Sequence, residues 1–183
     1  EKEKVLDFQK SGFFAVIVAD IMDRLLWRIR PYEKKQGMAD EFIERSLRKL
    51  EKTFEKHGPS KGFEKILDEV VQIIEEGKAL IDPKIPPKPL IGMVGEIFLR
   101  THTQSNQDII RSLEKHGAEV VNASVAEWGN YVSYDALRTA KAQALLNLKQ
   151  LRFSPLWSKL KEMLGFRIDL SYKEYRQNQV YKR

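Results

Sequence analysis

From Leu90 to Asn130 an apolar run passes into a polar loop, a helical segment and a second apolar run, and that order restricts the chain to folds that bury a β-loop-α-β unit. Leu90, Ile91, Met93, Val94, Ile97 and Phe98 form a near-continuous apolar stretch interrupted by Gly92 and Gly95. This is the composition of a strand covered on both faces in a mostly parallel sheet, which needs helices on both sides. Thr101 to Ser105 then read as loop and Asn106 to His116 as helix, with Ser105 and Asp108 at N-terminal cap spacing and Gly117 as the stop. Ala118 to Ala126 resumes as a second strand. In open α/β sheets, ligands collect at the carboxyl ends of such strands.

The rest of the chain is helical in pattern. Residues 12 to 30 read as a deeply buried helix that ends before Pro31, and its apolar run Phe13 to Ala19 is too short and interrupted to span a bilayer. Phe42, Ile43, Leu47, Leu50 and Phe54 recur about once per turn up to His57-Gly58-Pro59. Ser60 is placed to cap a further helix, whose stripe is Phe63, Ile66, Leu67, Val70, Val71 and Ile74 before Gly77. These two helices are the expected neighbours of the first. Four prolines within 82–89 exclude helix and central strand, so 81–89 reads as a stiff linker. Beyond Asn130, Leu137, Ala140, Ala144, Leu145, Leu148 and Leu151 share one helical face. Ser154-Pro155 begins a shorter helix that Gly165 ends, and a last helix covers Ser171 to Tyr181. The expected organisation is a helical segment over 1–80, the linker, and an α/β unit with basic C-terminal helices over 90–183. The fold class is α/β, with a small mostly parallel sheet flanked by many helices.

Composition narrows the chemistry. With 183 residues and 42% hydrophobic content the chain can form one sizeable core. It has no cysteine, so it supplies no thiolate to an iron–sulfur cluster or zinc site. The opening Glu-Lys-Glu-Lys carries no signal or transit character and reads as the start of an excised fragment, for which a cytoplasmic origin is the default expectation. The net charge of +6 is concentrated late, since Arg138 to Arg183 holds 11 Lys or Arg against 3 Asp or Glu. Interleaved with aromatic residues, this tail suits either a nucleic-acid backbone, the phosphates of coenzyme A, or an acidic neighbouring domain. The last is favoured, because no nucleic-acid motif accompanies the charge.

Candidate site residues cluster around the first strand end. Glu96 is placed to act as a base, to bind a ribose hydroxyl, or to serve structurally by accepting loop N–H groups or pairing with Arg100. Gly95 belongs to no phosphate loop, since neither GxGxxG nor GxxxxGK[ST] is present. Ser105, Asn106, Gln107 and Asp108 stand where a helix start would meet a ligand, although the same residue types satisfy free amides in any first turn. His102 lies in the loop above the strand end, and without cysteine, HxH or HExxH spacing a metal site is not expected. Arg30 and Tyr32 flank the end of the first helix, and Trp128 follows the second strand, where it would floor a pocket or close the core. No GxSxG turn or cysteine nucleophile is available for acyl transfer.

Several of these segments carry a family resemblance. Gly95-Glu96-Ile97, Ser105 to Asp108 and Gly117 to Val121 resemble the C-terminal region of large proteins related to 2-hydroxyacyl-CoA dehydratases and their CoA-enzyme activases. Arg30-Pro31-Tyr32-Glu33, downstream of Val18 to Ile21, and the Gly-x-Ala-Asp of Gly37 to Asp40 resemble a second segment of that family, in the same order. The resemblance implies a piece of an oxygen-sensitive, multidomain protein linked to ATP-driven electron transfer, with its iron–sulfur cluster and ATP bound elsewhere. On that expectation the chain is a scaffold or docking part in contact with other domains or a partner subunit. The alternatives are a nucleotide- or CoA-binding module using the 95–108 loop, and nucleic-acid binding through the basic tail.

Overall fold

A computed structural model describes residues 2–58, 62–150 and 153–181. The chain divides into two units, Glu1–Val125 and Ala126–Arg183. The first is a helix-rich α/β arrangement in which three helices and a 3-10 turn precede a two-stranded parallel sheet.

Helix α1 (Lys2–Ile29) is central to that unit. Phe14, Ile17, Val18, Ile21 and Met22 recur at three- and four-residue intervals and are buried, as is Ile29 at its end. Pro31 cannot continue the helix, and the chain leaves it through the 3-10 turn Arg30–Tyr32. Helix α2 (Met38–His57) follows, its first turn held by Glu33, whose two carboxylate oxygens accept from Gly37 N and Ala39 N at 2.8 Å each. It buries Phe42, Ile43 and Leu50, stops at Gly58, and is followed by α3 (Phe63–Lys78), which buries Ile66, Leu67, Val70 and Ile73. Both pack on α1, as expected from their stripes. The Phe14 ring lies 4.7 Å from that of Phe63 and 5.5 Å from that of Phe54. Each fully buried aliphatic or phenylalanine side chain contributes on the order of 2 kcal/mol by leaving water. Ser60, expected to cap α3, lies outside the described residues.

The proline-rich stretch forms no helix or strand and is fastened to the 3-10 turn. Asp82 N donates to Tyr32 O at 2.8 Å, Lys88 N to the Tyr32 hydroxyl at 2.9 Å, and Glu33 bridges Ile81 in antiparallel sense. Strand β1 (Leu90–Met93) then pairs in parallel with β2 (Glu119–Asn122), Leu90 opposite Glu119 and Met93 opposite Asn122.

Both strands are shorter than the sequence suggests. Gly95 takes φ 141°, which breaks the extended run, and Glu96 Oε2 accepts from Leu99 N at 3.0 Å, starting the short helix α4 (Ile97–Thr101). Ile97 and Phe98 are therefore helical. Helix α5 spans Ile109–Lys115 rather than 106–116, because Gln107 and Asp108 adopt φ 56° and 51°. Two consecutive left-handed residues cannot belong to a right-handed helix. Ser105 is no cap; its hydroxyl meets His102 Nδ1 at 2.8 Å. Strand β2 ends at Asn122 because Asp20 Oδ1 accepts from Val125 N at 3.0 Å and begins helix α6 (Val125–Lys149). The expectation of a sheet covered on both faces also fails. Ile91, Met93, Val120 and Asn122 face inward, whereas Leu90 and Val94 are 65% and 93% exposed and Val121 is also open.

The second unit holds the rest of α6 and helix α7 (Phe153–Tyr181). Asn130 pairs with Gln177, and Ser133 with Asp169 and Lys173, so the two helices run antiparallel. Gly165 does not end a helix as expected: α7 runs through it, since one glycine costs only about 1 kcal/mol within a helix of 29 residues. Among the described residues no helix is long and apolar enough to cross a membrane.

Candidate ligand crevice at the strand ends

The first unit contains a cavity of about 230 Å³ at the carboxyl end of β2. Helix α1 supplies Asp20, Asp23 and Trp27 to one wall, and the 3-10 turn adds Arg30. Arg100 comes from α4, Asn106 and Asp108 from the loop, Arg111 from α5, and Asn122 and Ala123 from the end of β2 and the residue after it. The inward face of the sheet and the switch from β2 to α6 bring these groups together.

Two of the three arginines are neutralised within the protein. Arg30, nearly buried, forks onto Glu114 through Nε to Oε2 at 2.5 Å and Nη2 to Oε1 at 3.0 Å, and reaches Asp40 Oδ1 at 3.2 Å. Such bidentate pairing is strong and geometrically specific. Arg111 donates to both oxygens of Asp40, at 3.1 and 2.7 Å, and lies 3.5 Å from Asp108 Oδ2. Arg100 differs. Its buried Nε has no hydrogen-bond partner, and no carboxylate lies within ion-pair distance of its guanidinium among the described residues.

The amides beside it are also incompletely satisfied. Asn106 Nδ2 donates to Leu99 O at 2.9 Å and Asn122 Nδ2 to Arg100 O at 3.2 Å, but the Oδ1 of each has no partner. Asn122 is only 1% exposed. Buried polar atoms are nearly always paired in folded proteins, and these three unpaired atoms belong to residues that line one cavity. Asp20 caps α6, while the pKa of Asp23 is raised by desolvation and by the nearby Asp20 carboxylate, against the lowering influence of Arg30. The lining carries three carboxylates, Asp20, Asp23 and Asp108, and three arginines, Arg30, Arg100 and Arg111.

Of the residues singled out from sequence, Arg30, Arg100, Asn106 and Asp108 converge here. Gly95, Glu96, His102, Ser105, Gln107 and Tyr32 do not line the cavity. Glu96 caps α4, His102 stacks on Phe98 with ring centroids 4.8 Å apart, and Gln107 serves a left-handed turn. Tyr32 is buried against Glu119. Trp128 belongs to the second unit, on α6, and its side chain is exposed. Among the lining residues that sequence reasoning missed are Asp20, Asp23, Trp27, Arg111 and Asn122. Two of them had a signal: Asp20 interrupts an apolar helical stripe, and Asn122 closes an apolar strand.

Among the described residues no group of three histidine, cysteine or acidic side chains is arranged to hold a metal ion. Neither a family model, nor a curated protein, nor a solved structure matches the chain.

Proposed function

We propose that the chain is a ligand-holding, non-catalytic part of a larger protein, and that the crevice between α1, α4 and β2 is its binding site. The observation that carries this reading is the unpaired Arg100 guanidinium set beside the unsatisfied amide oxygens of Asn106 and Asn122. Unsatisfied buried groups are costly in a free protein and become favourable contacts once a complementary ligand arrives. The ordered likeness of Arg30 to Glu33, Gly37 to Asp40 and Gly95 to Val121 to the dehydratase- and activase-related proteins supports a place in acyl-CoA chemistry. The iron–sulfur cluster and the ATP site then belong to other parts of that protein. Coenzyme A itself is a poor fit for the crevice. The volume lies below the range of about 300–1,000 Å³ usual for larger ligands.

Thermal-shift and calorimetric titration with small metabolites, nucleotides and coenzyme A tests the reading. At least one small metabolite should raise the melting temperature of the wild-type chain and fail to do so in Ala123→Phe, which fills part of the cavity. A panel that shifts neither protein, or shifts both equally, overturns it.

A further inference from the structure

Building on the reading of the crevice as a binding site, we infer that its occupant is a small zwitterion, with its carboxylate on Arg100 and its ammonium group toward Asp23. The demands of the lining groups differ. Arg100 offers donors and has no acceptor, so its side needs an anionic or carbonyl oxygen. Helix α1 brings the carboxylate of Asp23, which has no ion-pair partner among the described residues, while the amides of Asn106 and Asn122 stay beside Arg100, whose carbonyl accepts from both. The Asp23 side needs N–H groups and positive charge. A phosphate or simple carboxylate would answer Arg100 alone while facing the Asp23 carboxylate, and a simple amine would leave Arg100 unanswered. One molecule carrying both charges satisfies both.

Size and charge agree. The volume of about 230 Å³ suits a molecule of amino-acid dimensions rather than a nucleotide. The three lining carboxylates, Asp20, Asp23 and Asp108, balance the three lining arginines, which suits a ligand of no net charge. Asn122 Nδ2 donates to Arg100 O at 3.2 Å, which ties the end of β2 to α4.

The test is calorimetric titration of the whole chain with glycine, β-alanine, γ-aminobutyrate and a set of L-amino acids, beside propionate, propylamine and inorganic phosphate as single-charge probes. At least one zwitterion should bind at least tenfold more tightly than any single-charge probe. Arg100→Gln and Asp23→Asn should each weaken it tenfold or more while the fold, checked by circular dichroism, is kept, and Ala123→Phe should abolish it. If propionate, phosphate or propylamine binds as tightly as every zwitterion, the crevice remains a binding site but the assignment of a zwitterion is overturned. If none of the probes, nucleotides or coenzyme A binds, both readings fall.

Discussion

The Tyr32 hydroxyl donates to Glu119 Oε2 at 2.7 Å and accepts from Lys88 N at 2.9 Å, so one phenol ties the 3-10 turn, the proline-rich stretch and β2 together. Glu119 is buried, and its other oxygen accepts from Arg28. Tyr32→Phe removes a donor from a buried carboxylate and an acceptor from a backbone amide. The expected loss is about 1–3 kcal/mol of unfolding free energy, the usual penalty for a buried polar group left unpaired. Urea unfolding measures it, and a loss below about 0.5 kcal/mol would show that water replaces the phenol freely. Burial first, and then Glu119, raise the Tyr32 pKa against the lowering by Lys88 N–H and Arg28. A raised folded-state pKa means that this stabilisation is complete below the ordinary tyrosine value of about 10 and is lost as pH rises through the folded-state value. The wild-type advantage over Tyr32→Phe should accordingly shrink in strongly alkaline solution.

Arg30 and Glu114 form a second long-range tie, between the 3-10 turn and α5. With side-chain exposures of 11% and 8%, neither charge has water in reserve. Arg30→Met should destabilise by about 3 kcal/mol, since an uncompensated buried carboxylate is the main consequence. Adding Glu114→Gln should recover at least about 1 kcal/mol of that loss, because the second change removes the stranded charge. A double-mutant cycle in urea gives the coupling; additive losses would mean that the fork contributes nothing as a pair.

What could be read from the amino acids follows the physics of each element. The stripes on α1, α2 and α3 repeat over several turns, so Phe14 to Met22, Phe42 to Leu50 and Phe63 to Val70 announced both their helices and their mutual packing, although Ile73 rather than Ile74 completes the buried face of α3. Around the sheet the signals are local and compete. Val94, Ile97 and Phe98 have strand composition, yet one glycine at positive φ and the Glu96 cap make the last two helical. Ser105 and Asp108 have cap spacing, but two left-handed residues delay the helix to Ile109. The crevice was half legible: Arg100, Asn106 and Asp108 stand near a strand end in the sequence. Asp20 and Asp23 come from a helix about 80 residues before Arg100, and no local pattern brings them to the same cavity.

Gly77 illustrates how closely α3 approaches its neighbours. A Cβ built there would sit 2.7 Å from Ile29 Cδ1, 3.2 Å from Phe42 Cε1 and 3.3 Å from Leu25 Cδ2. Ile29 is fully buried, so it has little space to retreat. Alanine gains about 1 kcal/mol of helix propensity and loses a comparable amount to crowding, leaving a small net change. Gly77→Val adds further methyl groups without that compensation and should destabilise by about 2 kcal/mol or more. A valine variant as stable as wild type by thermal unfolding would mean that α3 can slide away from α1.

Asp23 offers the opposite sign. Its pKa is raised, mainly by desolvation and then by the carboxylate of Asp20, with Arg30 acting against both. The protonated form is the one the fold favours, so its contribution is most favourable below the ordinary aspartate value of about 3.9 and is lost as pH rises through the folded-state value. At neutral pH the ionised side chain therefore works against folding, and Asp23→Asn should stabilise the ligand-free protein. Partial solvent access at the cavity rim screens the effect to about 0.5 kcal/mol or less. The gain should fade when unfolding is repeated near pH 3, where the wild-type carboxyl is protonated in both states. A variant less stable than wild type at pH 7 would instead show that Asp23 is held by a favourable partner, and Arg30 is the cation positioned to be one.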